Sequence, residues 1–266
     1  MNTVWVFDVD GVIVNIEKEI ITEPFILNSI IKILEKGEVV ALNTGRGIDW
    51  TLETVLNPLK SKITNPAILK NLFISSESGG ITATFDKNGS LQVTTDDSLK
   101  IPRDLDKKVR ELVTRKYSKS MRYENKKTMS TTKIKEGTSI EKFQEDQETM
   151  IGDLQRIINS SNLRGRLKVD ISTIGTNIMY KRTGKDLGIE LILKWLKDMG
   201  IKPEKFIAFG DSASDIPMAE KLYENGCDLK FVFVGGKNKI QRKAPYKIHT
   251  TESLFDKGTV EFLKSL

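Results

Sequence analysis

Near both ends of the chain, apolar runs of three to five residues alternate with segments whose apolar positions recur at helical spacing, the pattern of a parallel sheet covered by helices. Val4 to Phe7 predicts the first strand. Pro24 then opens a segment that turns Phe25, Leu27, Ile30, Ile31 and Leu34 inward, Gly37 is placed to stop it, and a strand follows at Val39 to Leu42. Leu72 to Ile74, Phe206 to Phe209 and Phe231 to Val234 read as further buried strands, each short and bounded by polar or glycine-rich residues. Asp186 to Met199 carries Leu187, Leu191, Ile192, Trp195, Leu196 and Met199 at helical spacing, with Gly200 as its stop.

The middle of the chain follows another pattern. Asn88 and Gly89 stand between β-prone stretches within Ile81 to Thr95, a hairpin signal. Leu167, Val169 and Ile171 alternate with Arg166, Lys168 and Asp170, as in a strand with one wet face. The expectation is an α+β module over residues 83–180, inserted into a discontinuous α/β domain made of residues 1–82 and 181–266.

Composition narrows the setting. At 266 residues and 38% hydrophobic content the chain can bury the core of one or two domains. Its single cysteine, Cys227, forms no internal disulfide and supplies no thiolate cluster for zinc, which points to a reducing compartment, the cytoplasm. The N-terminus lacks the charged start and cleavage site of a signal peptide. No apolar stretch approaches the roughly 20 residues of a membrane span, so no membrane partner is expected. The formal charge of +6 is regional: Arg103 to Lys135 holds twelve basic residues against four acids, and Glu136 to Asp153 six acids against one lysine. The basic stretch lacks interleaved aromatics and a recognised binding motif, so nucleic acid is not expected as a partner. His249, the only histidine, has no motif around it and reads as structural.

The candidate chemistry lies at strand ends. Asp8 and Asp10 follow the first strand, and period-two geometry puts both carboxylates on one side, where α/β sheets place their ligand crevices. A calcium loop does not fit, because its glycine belongs at the sixth position and Gly11 is the fourth. Asn43-Thr44-Gly45-Arg46 follows the second strand, Gly210-Asp211-Ser212-Ala213-Ser214-Asp215 follows Phe206 to Phe209, and Lys185 stands at a helix start. Singly, Thr44 reads as a helix cap and Lys185 as a solvated lysine; together they form a constellation.

That constellation resembles the haloacid dehalogenase-like superfamily, whose motifs are Asp-x-Asp, a Ser or Thr, a Lys and Gly-Asp-x-x-x-Asp, all present here in order. The resemblance implies an α/β, Rossmann-like parallel-sheet core with an inserted α+β cap. It implies Asp8 as nucleophile and Asp10 as general acid and then base. It implies Mg²⁺ held by Asp8, Asp211, Asp215 and the Asp10 carbonyl, with Ser212 in the outer shell, and Thr44 and Lys185 on the phosphoryl oxygens. An acid at Asp10 separates the chain from dehalogenases, which release halide without a proton donor. Ser214 stands where close relatives carry asparagine.

Thirty-four residues separate Asp10 from Thr44 and 141 separate Thr44 from Lys185, so only the second interval holds a cap. This resembles the branch of sugar phosphatases, phosphomannomutase and Cof-like phosphatases, as do Glu77-Ser78-Gly79-Gly80 and Val234-Gly235-Gly236-Lys237-Asn238. Glu124-Asn125-Lys126 resembles a Glu-x-Lys cap segment whose lysine faces substrate, which makes Lys126 a candidate. Arg46, with Gly45 beside Thr44, is a candidate for pairing with an anionic or hydroxyl-rich substrate. The expected partner is a small phosphorylated metabolite and the expected reaction its hydrolysis, with phosphosugar mutase chemistry as the alternative.

Overall fold

The computed structural model describes residues 2–172, 174–236 and 244–266. In chain order the strands are β1 (Thr3–Phe7), β2 (Val39–Asn43), β3 (Leu72–Ser76), β4 (Ile81–Phe85), β5 (Leu91–Thr95), β6 (Met121–Glu124), β7 (Ser130–Ile134), β8 (Leu167–Ser172), β9 (Gly175–Tyr180), β10 (Lys205–Gly210), β11 (Leu229–Phe233) and β12 (Lys247–Thr250). The helices are α1 (Pro24–Glu35), α2 (Ile48–Thr51), α3 (Asn57–Lys60), α4 (Arg103–Leu112), α5 (Ile140–Asn159), α6 (Lys185–Asp198), α7 (Ile216–Glu224) and α8 (Phe255–Lys264). The chain divides into two units, Met1–Thr94 with Gly184–Leu266, and Thr95–Thr183.

In the first unit an eight-stranded sheet runs in the order β12-β11-β10-β1-β2-β3-β4-β5. Strands β12 through β3 pair in parallel. Successive side chains of a strand point to opposite faces, so the apolar runs divide into two cores. Trp5, Phe7, Val40, Leu42, Ile207 and Phe209 pack with α1 and α8, while Val4, Val6, Val39, Ala41, Phe206 and Ala208 pack with α6 and α7. The Phe7 and Phe209 rings stack with centroids 4.5 Å apart, and Phe262 meets Phe209 edge-on at 5.4 Å. Burying each such ring contributes roughly 1.5–3 kcal/mol.

The hairpin signal at Asn88 and Gly89 corresponds to a turn in which Gly89 N–H donates to the Asp86 carbonyl at 3.0 Å. Its strands do not start the inserted module, contrary to the expected boundary at residue 83. β4 pairs antiparallel with β3, Ala83 opposite Ile74, and buries Ile81, Ala83 and Phe85 against the large sheet. The hairpin therefore extends the first unit, and the second begins at Thr95.

The second unit is a four-stranded antiparallel sheet, β6-β7-β9-β8, with α4 and α5. Leu105, Val109, Met121, Phe143, Met150, Leu154, Leu167 and Ile178 are buried in it. Gln147 pins α5 to the sheet, donating Nε2 to the Ser172 and Gly175 carbonyls at 3.1 and 2.9 Å. Among the described residues, no helix is long and apolar enough to cross a membrane.

Candidate active site

β10, β1 and β2 are adjacent and parallel, so their carboxyl ends share one edge of the sheet. The residues just past those ends, Asp8 and Asp10, Thr44 to Arg46, and Asp211 to Asp215, come together there because the strands do. Lys185, the first residue of α6, completes the group.

Lys185 is buried and central. Its Nζ pairs with Asp8 Oδ1, lies 2.9 Å from Asp215 Oδ1 and donates to the Asn43 carbonyl at 2.6 Å. Asn43 returns the contact, donating Nδ2 to the Lys185 carbonyl at 2.8 Å. Asp8 Oδ1 also accepts from the Val9 N–H at 2.6 Å. Asp215 Oδ2 accepts from the N–H groups of Asp211 and Ser212 at 3.0 and 3.1 Å, which shapes the loop after β10.

Asp8, Asp211 and Asp215 each offer a carboxylate oxygen, all within 4.8 Å of one another. Three acids against one lysine leave excess negative charge in a buried place. Burial raises Asp8 well above the usual carboxylate range, Asp215 adds to the rise, and Lys185 opposes it. Asp211 is pushed up to about 7 by burial and then by Asp215. Burial works against the charge on Lys185, yet Asp215 and Asp8 together raise its pKa. An all-oxygen, anionic donor set with this unrelieved repulsion suits a hard divalent cation.

Backbone contacts hold the strand ends. The turn Glu77–Gly79, with φ of 49° at Glu77 and 55° at Ser78, takes a conformation that non-glycine residues seldom adopt. Hydrogen bonds fix it. Glu77 N–H donates to the Arg46 carbonyl at 2.9 Å, Ser78 N–H to the Thr44 carbonyl at 3.0 Å, and Gly184 N–H to the Ser78 carbonyl at 3.0 Å. Glu77-Ser78-Gly79 thus ties the Thr44 loop to the start of α6. Gly188 lets that helix lie directly on Asn43, because a Cβ there would collide with the Asn43 amide.

Gly11 has φ of 71°, and a Cβ there would meet Asp211 Oδ2 at 2.7 Å. Gly11→Ala is expected to cost about 1–2 kcal/mol from the backbone conformation alone and to displace the Asp211 carboxylate. Denaturant unfolding checks it, and a loss within experimental error would show that the loop yields without strain.

Arg46 is engaged with Asp10. Its Nε lies 3.0 and 2.9 Å from the two Asp10 oxygens, and its Nη2 donates to Asp10 Oδ1 at 2.7 Å and to Glu19 Oε1 at 2.8 Å. The guanidinium lies 4.2 Å from the Trp50 ring centroid. Sequence reasoning assigned Arg46 to substrate and found no role for Glu19 or Trp50, which no motif marks.

Thr44 is fully buried and its Oγ1 accepts from the Arg46 N–H at 3.1 Å, with Gly45 half-buried beside it. Ser212 Oγ contacts Ser214 Oγ at 2.8 Å and Asp215 Oδ2 at 3.3 Å. Of the basic residues around Lys185, Lys181 is exposed and Arg182 pairs with Asp96 at 3.2 Å in the second unit, so Lys185 alone reaches the acids. Lys126 belongs to the second unit, with Nζ 3.7 Å from Glu124 Oε1. Lys237 and Asn238 of the glycine loop lie outside the described residues. His249 lies against the Phe262 ring, and burial raises the pKa of the half-buried Cys227.

A model of the haloacid dehalogenase-like hydrolases matches residues 5–230. Among curated proteins no sequence matches the chain. Similar solved structures include the C-terminal domain of trehalose-6-phosphate phosphatase from C. albicans, at TM-score 0.69 and 15% identity over 99% of this chain and 91% of that one. Aspergillus fumigatus trehalose-6-phosphate phosphatase gives 0.57 and 16%, covering 99% and 93%. IMP-bound Plasmodium falciparum IMP-nucleotidase gives 0.61 and 13%, covering 99% and 67%. At such identities the likeness is one of fold.

Proposed function

The chain belongs to the haloacid dehalogenase-like hydrolases, and from that premise we propose that it is a Mg²⁺-dependent phosphomonoesterase. It passes the phosphoryl group of a small metabolite, foremost a sugar phosphate, through Asp8 to water. The observation that carries this reading is the cluster of buried Asp8, Lys185 and Asp215 with half-buried Asp211, and Asp10 and Thr44 at the same sheet edge.

Asp8 supplies the attacking carboxylate oxygen, which bonds to phosphorus as the ester P–O bond breaks. Asp10 gives its proton to the departing oxygen. It then takes a proton from the water that attacks the phosphorus, and Asp8 is released. Lys185 and the Thr44 hydroxyl, with the Gly45 N–H, hold the phosphoryl oxygens. When bound, Mg²⁺ on Asp8, Asp211, Asp215 and the Asp10 carbonyl, with Ser212 outside, supplies the positive charge that lets an anionic nucleophile approach an anionic ester. Lys126 is assigned to substrate on its Glu-x-Lys likeness.

Phosphate release from a panel of sugar phosphates including trehalose-6-phosphate, with IMP and p-nitrophenyl phosphate, tests the reading. Mg²⁺-dependent release from at least one member is expected. No release above that of an Asp8→Asn control would refute it.

Metal binding has its own signature. Protons on Asp8 and Asp211 compete with the cation, so saturating Mg²⁺ is expected to raise the melting temperature by about 5–10 °C over EDTA at pH 8. Less than half that gain is expected at pH 5, below the value of about 7 to which Asp211 is pushed and with Asp8 also shifted upward by burial and Asp215. Equal gains at the two pH values would place the cation elsewhere.

A further inference from the structure

We propose that Arg46 is a positioning residue that fixes the Asp10 carboxylate for proton transfer, and that Glu19 and Trp50 fix Arg46 in turn. This rests on the acid and base role given to Asp10 above. The Arg46 side chain is 7% exposed. It meets both Asp10 oxygens through Nε, reaches Oδ1 and Glu19 through Nη2, and lies over Trp50. Its backbone is held as well, since the carbonyl accepts from Ser76 Oγ at 2.5 Å and from Glu77 N–H at 2.9 Å.

The need for such a fixture follows from where Asp10 sits. Its side chain is 36% exposed at the sheet edge, while Asp8 and Asp215 are packed. A general acid works only within hydrogen-bond reach of the oxygen it protonates, and a displacement of about 1 Å can cost roughly a hundredfold in rate. A planar guanidinium touching both carboxylate oxygens restrains the group in a way a lysine ammonium does not. Arg46 itself arrives on the Thr44 loop, so the residue that meets the phosphoryl group and the residue that orients the acid share one backbone segment. Glu19 has φ of 52°, and Thr22 and Asn15 of the same loop donate to Asp256 Oδ2 at 2.6 and 3.3 Å. The loop is therefore anchored on both sides of the contact with Arg46.

The test uses the full chain with Mg²⁺ and a ladder of phosphate monoesters from alkyl through phenyl and p-nitrophenyl to 2,4-dinitrophenyl. The better the leaving group, the less its oxygen needs a proton, so a defect that acts through Asp10 shrinks along the ladder. Arg46→Met is expected to lower kcat/KM about a hundredfold for the alkyl ester and less than about threefold for the dinitrophenyl ester. Glu19→Gln should show the same trend in smaller measure, about tenfold for the alkyl ester and close to none for the dinitrophenyl ester, and it carries the test if the methionine variant does not fold. Arg46→Lys should restore little. The double variant Asp10→Asn with Arg46→Met should lose no more than Asp10→Asn alone, since both remove one function.

Equal losses along the ladder, or a raised KM with kcat kept, would overturn the proposal and return Arg46 to substrate binding. Asp10→Asn separates this failure from a deeper one. If its own losses do not depend on the leaving group, the acid role of Asp10 falls, and the inference with it. If they do while those of Arg46→Met do not, only the inference falls.

Discussion

Asp8→Asn is expected to remove phosphate release, with kcat down by about four orders of magnitude or more, and to raise the melting temperature of the metal-free protein. The first effect follows from loss of the carboxylate proposed to take the phosphoryl group. The second follows from electrostatics. Burial, then Asp215 and Asp211, push Asp8 upward against the help of Lys185, so its charge is held at a cost. A neutral amide of the same shape avoids that cost, and Lys185 keeps its contacts with Asp215 and the Asn43 carbonyl. Replacement of a buried charge of this kind stabilises by about 1–4 kcal/mol, and at the low end the gain is roughly 2–4 °C. Thermal melts in EDTA at pH 8 with parallel phosphate-release assays measure both. A tenth of native activity would remove Asp8 as nucleophile, and a lower melting temperature would show that Lys185 needs both acids.

Lys185→Met is expected to act in the opposite direction on stability. It leaves Asp8, Asp211 and Asp215 without their cation, and breaking a buried pair in this way costs about 3–5 kcal/mol. The pH dependence has a definite sign. Asp8 and Asp211 bind protons more tightly folded than unfolded, so metal-free stability falls as pH rises from about 4, the ordinary carboxylate value, through about 7, where folded Asp211 titrates. Without Lys185 that fall should be steeper, because the lysine opposes both upward shifts. Denaturant unfolding in EDTA across pH 5–8 reads it directly. A variant as stable as the parent at pH 8 would mean that the acids part when the lysine is gone.

The large sheet was legible because its strands carry their signal locally. Val4 to Phe7, Val39 to Leu42 and Phe206 to Phe209 are apolar on both faces, and only a strand covered on both sides takes such a run. Motif order likewise brought out Asp8, Thr44, Lys185, Asp211 and Asp215, since each follows a strand end or opens a helix. The hairpin boundary was misplaced because β4 looks the same in sequence whether it joins β3 or a separate sheet; only its pairing with Ile74 decides. The contacts of Arg46 were hidden for a related reason. A guanidinium after Thr44 has several possible anionic partners, and Glu19 belongs to a loop without periodicity. Gly188 reads as a helix residue of low propensity until Asn43 lies against it.

The place of β1 between β10 and β2 has a consequence for synthesis. One neighbour of β1 follows within about 30 residues, whereas the other lies about 200 residues further along the chain. At roughly 5–20 residues per second of translation, Val4 to Phe7 waits on the order of 10–40 s with one row of peptide groups unpaired and apolar on both faces. Such an edge is a template for wrong partners. Ribosome-bound chains ending before β10 should therefore be held by chaperones or aggregate, and should lack Asp211 and Asp215 altogether. The strand that covers the open side of β1 also carries Asp211 and Asp215 just past its end, so the acid cluster assembles only once that edge is paired.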